Sequence, residues 1–358
     1  MSKIGVIQII DSLNTGGAEV LAVNIANLLV KENINSHLCV TRQEGKLRES
    51  INKNTGYLFL NKKRTIDIKA IITFKNYIKA NNISILHAHS SSFFLAFCVK
   101  LICPKLKIIW HDHFGKTQEL KKRNIFPLKQ ISFFFKGIIA VNNQLEKWSL
   151  HNLYCKRVYL LNNFAVFNNF EKHTILEGIE GKRIVHLGAF RAQKDHENLI
   201  NAFHLFQKDF KEWSLHLIGG YIEDTYYKKI KRMISEKGLE KHIFVHGVCT
   251  DIFNILQQCS LGVLSSKSEG LPIALLEYGL AKLPVVVTNV GDCNKVIVNN
   301  KTGFIIMPNN STLLADKLKQ LANSKKLSAY FGQNLNIQIK NNFSQENFMK
   351  QVLHIYKS

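Results

Sequence analysis

The stretch "LGVLSSKSEGLPIALLEYGLAKLPVVVTNVG", residues 261–291, reads as strand, loop, helix, strand. "LGVLSS" (261–266) and "PVVVTN" (284–289) are apolar enough to be buried on both faces. The helical segment between them has the length that a crossover between parallel strands requires. Pro272 suits the first position of that helix, where its missing N–H costs nothing. Two carboxylates then need a reason. Glu269 sits at the mouth of the helix, and Glu277 lies about a turn and a half inside, amid Leu275, Leu276 and Leu280. A half-buried carboxylate must find hydrogen-bond partners, and ligand hydroxyls are good ones. A diphosphate on the amides near Gly270 and Leu271, a sugar by Glu269 and a ribose by Glu277 would account for the arrangement.

The same alternation runs outward in both directions. Upstream come the strands "KIGVIQII" (3–10), "HLCV" (37–40), "ISILHAH" (83–89), "KIIWHDH" (107–113), "GIIAVN" (137–142) and "RVYLLNN" (157–163), separated by helical patterns such as 17–32 and 66–82. Residues 164–181 break the rhythm, and "KRIVHLG" (182–188) restarts it. "SLHLIGG" (214–220), a helix over 224–238 stopped by Gly238, "HIFVHG" (242–247) and "TGFIIM" (302–307) follow. Segments 312–322 and 344–356 read as helices. The expectation is an α/β chain of two tandem units: 1–170, 171–340, and a C-terminal helix over 341–358 that packs back on the first unit.

Composition bounds the function. At 358 residues, 46% hydrophobic, the chain has the length and apolar content for two cores. The first ten residues lack the longer apolar region and cleavage site of a signal peptide, and "SSFFLAFCVKLICP", the longest apolar run, is broken by Lys100 and Pro104. Seven cysteines form no CxxC pair, which fits reduced thiols in a cytoplasmic protein. The formal charge is +22; residues 1–180 carry 25 Lys or Arg against 12 Asp or Glu. Segment 100–136 alone has nine cations and two anions, interleaved with Phe, Ile and Leu. Such a surface suits anionic lipid, with Phe126, Phe133, Phe134 and Phe135 as the apolar contacts. Nucleic acid is the competing partner for a +22 chain, but no nucleic-acid module is present, and none is expected as a partner.

Ligands of open parallel sheets bind beyond the C-terminal ends of strands, so polar residues there are the candidates. Gly16 and Gly17 of "DSLNTGGAE" (11–19) allow backbone approach to an anion at a helix start, although the spacing is no dinucleotide fingerprint. His87 and His89 end one strand, and His111, Asp112 and His113 end another; alternation sends His111 and His113 to one side. Lining a sugar or phosphate cleft is the preferred reading for these histidines, over a metal site. In "LGAFRAQKDH" (187–196), Lys194 opens a helix where a cation opposes the dipole, which an anionic ligand shared with Arg191 would offset. Gly219, in "LIGG", adds a close-approach point at a neighbouring strand end.

Glu269 and Glu277, seven residues between them, within "SEGLPIALLEYGLAKLPVVVTNVG", resemble the signature of the family 4 retaining glycosyltransferases. "TGGAE" (15–19), "LGAFRAQKDHENLINAF" (187–203), "LIGG", "VHGVCTDIFNILQQCSLGVLSS" and "NKTGFIIMP" resemble that family's pattern in order, most strongly over 182–308. The resemblance implies the GT-B fold: two Rossmann-like domains whose parallel sheets face a central cleft. It implies an N-terminal acceptor-binding domain and a C-terminal domain for a nucleotide-diphosphate sugar, with UDP favoured over GDP and no metal or other cofactor. Glu269 would contact sugar hydroxyls, Glu277 the ribose, and Lys194, with Arg191, the departing diphosphate. Gly16 and Gly17 would approach donor phosphates or acceptor, and His111, or else His113, the donor sugar. Where the family usually has Arg five positions before that lysine, this chain has Ala189; where it often has Glu after "NVG", it has Lys295.

The expected reaction is retaining transfer of a hexosyl or N-acetylhexosaminyl group to a polyprenyl-diphosphate-linked saccharide in bacterial surface polysaccharide or O-antigen assembly. The enzyme would attach peripherally to the inner face of the cell membrane. The competing expectations are a nucleotide-sugar epimerase of the same fold, a non-catalytic transferase-like partner, and a basic nucleic-acid-binding protein.

Overall fold

The computed structural model describes residues 4–14, 16–115, 117–164, 166 and 172–358. The chain divides into two compact units, Met1–Asn163 with Gln345–Ser358, and Phe164–Ser344. The sequence-expected division between residues 170 and 171 lies outside the described residues.

The first unit carries a seven-stranded, wholly parallel sheet: β1 (Gly5–Ser12), β2 (Asn35–Gln43), β3 (Gly56–Phe59), β4 (Ile83–His89), β5 (Lys107–Asp112), β6 (Phe135–Ala140) and β7 (Val158–Leu160), in the order β3-β2-β1-β4-β5-β6-β7. β1 is an interior strand: Val6, Ile7, Ile9 and Ile10 are buried, filling both faces of the sheet. Strand order reverses between β1 and β4, which places a ligand crevice at their C-terminal ends. β3 has no expected counterpart: "GYLF" is four residues long, too short to show a period. The helix Gln345–Lys357 belongs to this unit, with Phe348, Met349, Val352, Ile355 and Tyr356 as its buried stripe. Residues 341–344 do not join it; Phe343 packs in the second unit's core.

The second unit repeats the plan with β8 (Arg183–Leu187), β9 (Ser214–Ile218), β10 (Ile243–Gly247), β11 (Leu261–Leu264), β12 (Val285–Thr288) and β13 (Phe304–Ile306), ordered β10-β9-β8-β11-β12-β13, all parallel. One face packs Leu215, Leu217, Val263 and Val286 against Phe203, Phe206, Ile230 and Leu318 of three helices. The other packs Val185, Leu264, Val285 and Val287 against Leu275, Leu276 and Tyr278 of the helix Ile273–Leu280. A further helix, Lys325–Asn342, escapes the sequence reading. It clamps Ile273–Leu280 from outside: Asn336 donates to the Gly279 carbonyl at 2.9 Å, and a Cβ on Gly279 would collide with Ile339.

No disulfide joins the seven cysteines among the described residues. No described helix is long and apolar enough to cross a membrane. In the basic segment, Phe126 and Phe133 are 71% and 75% exposed, but Phe135 is buried as the first residue of β6, a correction to its expected place on the surface. Phe133 and Phe134 therefore sit at the starting edge of the sheet, opposite the strand ends that carry the histidines. A second exposed apolar cluster, Ile66, Ile68 and Ile72, follows β3 at the ligand-bearing edge, among exposed Lys63, Arg64 and Lys69.

Candidate functional site

Within the second unit, three loops leave adjacent strand ends and are stitched together. After β8, the Gly188 amide donates to the Ile218 carbonyl and the Phe190 amide to that of Gly220, so the 188–194 loop is laid along the end of β9. That approach requires Gly219: its φ is +157°, and any Cβ there would be driven into the Gly188 carbonyl. Lys194 does not open the long helix, as the sequence suggests. It ends a short 3-10 turn, and Asp195 in left-handed conformation caps the helix His196–Gln207 through the Asn198 amide. From the other side, Ser265 Oγ donates to the Lys194 carbonyl at 2.9 Å, and the Lys267 amide to that of Gln193 at 2.8 Å.

The stitching brings two candidate residues into contact. Lys194 Nζ lies 2.6 Å from Glu269 Oε1, which also accepts from Ser266 Oγ at 2.6 Å. Both side chains are largely buried, so the ion pair is little screened. Gly291, at φ +54°, lets its backbone pass against the Glu269 and Gly270 carbonyls and so fixes the loop from below. Lys295 pairs with Asp292 at 3.0 Å. Arg191 is exposed, and its guanidinium has no partner among the described residues.

Glu277 differs from Glu269. Pro272 occupies the N-cap, with extended ψ of 121°, so the helix starts one residue later than the sequence suggests. Tyr278 anchors that helix to the sheet: its hydroxyl accepts from the Leu187 amide at 2.7 Å. The preceding residue, Glu277, is part-buried, and its carboxylate has no hydrogen-bond or ion-pair partner among the described residues. Burial pushes its carboxyl up to about 7. A carboxylate in this state attracts donors.

Two histidines under the same loop carry no sequence signal beyond their place in a strand and at a helix start. His186 on β8 is fully buried with both ring nitrogens unpartnered; its ring lies below Gly188. His196 stacks on Phe190 at 4.4 Å. Burial holds His186 well below the ordinary imidazole range and His196 down to about 4, so both are neutral beside Lys194.

In the first unit, Gly16 is the extended N-cap of the helix Gly17–Lys31, and a Cβ there would strike the Glu19 carboxylate. Thr15 of the same motif lies outside the described residues. The four histidines of β4 and β5 stack into one cluster, with His111 and His113 ring centroids 4.1 Å apart. His111 is fully buried, whereas His113, just past the strand end, keeps part of its surface exposed. Asp112 points to the other side and is held by Arg123 in a bidentate pair at 2.6 and 2.8 Å, so it does not join the histidines.

Among the described residues, two groups have ligating atoms within 4.8 Å of one another: His87, His89 and His111, and Glu177, His216 and His246. In both, ring nitrogens already bond to neighbours. His87 Nε2 meets His111 Nδ1 at 3.1 Å; His216 Nδ1 meets His246 Nε2 at 3.0 Å, and its Nε2 meets Ser214 at 2.9 Å. A metal would have to displace those bonds. A 690 Å³ groove lined by Lys182, Trp213, Leu261 and Lys325 lies at the starting edge of the second sheet, away from these loops.

Comparison with known proteins follows the same division. The family model Glycosyltransferase Family 4 matches residues 15–164, and Glycosyl transferases group 1 matches residues 169–336. Poly(ribitol-phosphate) alpha-N-acetylglucosaminyltransferase of Staphylococcus aureus is 27% identical over 69% of this chain; the chain spans about half, 49%, of that relative. The capsular polysaccharide biosynthesis glycosyltransferase CapH of Staphylococcus aureus is 25% identical over 90% of this chain and 92% of its own. The O-antigen biosynthesis glycosyltransferase WbnH of Escherichia coli is 25% identical over 82% and 83%. Among solved structures, Anabaena HepE in complex with UDP and glucose superposes with a TM-score of 0.80 at 15% identity, covering 99% of both chains.

Proposed function

Because the chain is a GT-B glycosyltransferase resembling those of bacterial O-antigen and capsular polysaccharide assembly, we propose that it transfers a sugar, with retention, from a nucleoside diphosphate sugar to a hydroxyl of a lipid-linked saccharide. The observation that carries this reading is the pairing of opposites on one short segment. Glu269 is locked to Lys194 at the mouth of a helix, and the carboxylate of Glu277, inside it, has no partner among the described residues. In this reading the second unit holds the donor. Glu277 accepts from the ribose hydroxyls, Glu269 takes sugar hydroxyls, and Lys194 shares its charge between Glu269 and the diphosphate. Arg191, Gly219 and the amides near Gly270 and Leu271 complete the anion site.

Departure of the diphosphate develops negative charge on its oxygens and positive charge at the anomeric carbon. Lys194 stabilises the first, and Glu269 beside it faces the second. The cationic side chains need no added metal for this. The first unit holds the acceptor at the ends of β1, β4 and β5, with Gly16 and Gly17 at the helix start and His111 or His113 at the sugar. UDP is the preferred nucleotide, supported by the UDP complexes of HepE, which shares the fold.

Surface chemistry supports attachment to lipid. Ile66 and Ile68, 62% and 71% exposed, sit among Lys63, Arg64 and Lys69 on the edge of the first sheet that carries Gly16 and the histidines. A polyprenyl-diphosphate acceptor reaching that edge from the inner leaflet would meet apolar contacts and cations together. Binding to anionic vesicles, weakened by salt and by Ile66→Ser with Ile68→Ser, tests this; loss on Phe126→Ser with Phe133→Ser instead would put the lipid contact on the opposite edge.

The deciding experiment is a binding screen without added metal against UDP, GDP, ADP, CMP and their common sugar conjugates. One nucleoside diphosphate bound well above the rest, and lost in Glu277→Ala, supports the donor site. Folded protein that binds none of them overturns it and revives the nucleic-acid and non-catalytic readings.

A further inference from the structure

The first unit contains a buried polar chain, separate from the loops of the second unit, that runs from the C-terminal helix to His111 on β5 and to His113 just past its end. Gln8, fully buried on β1, is its centre. Gln8 Oε1 lies 2.8 Å from His89 Nε2, and His89 Nδ1 lies 2.9 Å from His113 Nε2. On the other side, Gln8 Nε2 donates to the Tyr356 hydroxyl at 3.2 Å, Tyr356 Oη lies 2.6 Å from His87 Nδ1, and His87 Nε2 lies 3.1 Å from His111 Nδ1.

A neutral imidazole has one N–H and one bare nitrogen. Burial keeps all four rings neutral: His87 and His113 are held down to about 3, and His89 and His111 fall well below the ordinary range. The bonds then fix every proton. The Gln8 carbonyl can only accept, so His89 carries its proton on Nε2. Its bare Nδ1 must accept from His113 Nε2–H, which leaves His113 Nδ1 bare. The Gln8 amide donates to Tyr356, whose own O–H turns to His87 Nδ1. His87 Nε2–H then donates to His111 Nδ1, which leaves the proton of His111 on Nε2. That last nitrogen is buried and unpartnered, while His113 Nδ1 has no partner among the described residues.

We infer that Gln8 and Tyr356 are positioning residues that hold all four histidines in the Nε2–H form, so that His113 presents a hydrogen-bond acceptor, Nδ1, to a sugar hydroxyl at the end of β5. The choice between His111 and His113 thereby falls on His113, and His111 becomes its buried support. The functional half of this inference rests on the glycosyl-transfer reading above; the protonation pattern does not. No proton is transferred: a ring this weakly basic accepts a hydrogen bond and orients the sugar.

Two measurements test it on the full chain. Nitrogen-15 NMR of the histidine rings, assigned by single His→Gln variants, separates protonated from bare nitrogens. All four rings should show Nε2 protonated. In Tyr356→Phe, His87 and His111 should become mixtures while His89 and His113 stay unchanged; in Gln8→Leu, all four should mix. Nδ1–H at His89 or His113 in the parent chain, or no change in Gln8→Leu, overturns the relay. The second measurement is UDP release from UDP-glucose, with water as acceptor. His113→Leu should lower kcat/KM roughly tenfold, the effect of one lost hydrogen bond, with part restored in His113→Asn, whose amide oxygen can accept. Unchanged turnover in His113→Leu beside the expected NMR pattern overturns the sugar contact alone. A parent chain that binds no nucleotide sugar overturns the transferase reading and leaves the NMR result to decide the relay.

Discussion

Glu277 and Lys194 show how single side chains hold stability against function. Moving a carboxyl from its ordinary 4.5 to about 7 means that the folded state prefers the protonated form. This contribution to stability is complete below pH 4.5 and is lost as pH rises through about 7, a difference of ~3 kcal/mol. Glu277→Gln should therefore raise the thermal unfolding temperature at pH 8 and leave it little changed at pH 4.5, while weakening nucleotide binding. Equal effects on stability at both pH values would show that the carboxyl is not strained. The same shift predicts that the parent chain binds its nucleotide more tightly as pH climbs past 7, a trend absent from the glutamine variant in calorimetric titrations. For Lys194→Met the expectation is a fall in kcat of about 10²–10³, the scale of removing one charge-stabilising donor. Because that variant leaves Glu269 buried without its cation, Lys194→Met with Glu269→Gln should recover stability and not turnover.

The loops and helices that present these residues depend on glycine at two positions. Gly219 and Gly291 have positive φ and backbone contacts that leave no room for a side chain. Gly219→Ala should cost about 1–3 kcal/mol in denaturant unfolding and weaken UDP binding, because the 188–194 loop must withdraw from the end of β9. Gly219 stands out in the sequence as a strand-end residue, whereas the demand on Gly291 shows only once its backbone is seen against the Glu269 and Gly270 carbonyls. The helix Lys325–Asn342 was not legible. "KKLSAYFGQNLNIQIKNN" spreads Phe331, Leu335 and Ile339 thinly among polar residues, and its start is marked only by the Ser324 cap on the Leu327 amide at 3.2 Å. Its purpose becomes visible when Asn336 and Ile339 close on Gly279.

At the scale of the whole molecule, the chain's last fourteen residues complete its first unit. Phe348, Met349, Val352, Ile355 and Tyr356 are buried there, and five such side chains contribute on the order of 5–10 kcal/mol by the area they withdraw from water. That approaches the full stability of an average domain. Removing residues 345–358 should abolish slow hydrogen exchange in β1 and β4 and leave the second unit's strands protected. Protection that survives in β1 would mean that the helix only decorates the sheet.

Sequence alone determined the α/β alternation, the parallel sheets and the C-terminal helix, because burial of apolar runs at strand and helix periods is a local property. It also singled out Glu269, Glu277, Lys194 and Gly219, because carboxylates amid leucines and glycines after strands are costly unless something requires them. Only the tertiary structure joined Lys194 to Glu269, residues 75 apart, and left the Glu277 carboxylate without a partner among the described residues. Only it moved Phe135 into the core, turned Asp112 away to Arg123, and set Gln8, Tyr356 and four histidines in one line. These are pairings between distant strands and helices, and hydrogen bonds between such residues follow from strand order and register, which no local pattern in the chain encodes.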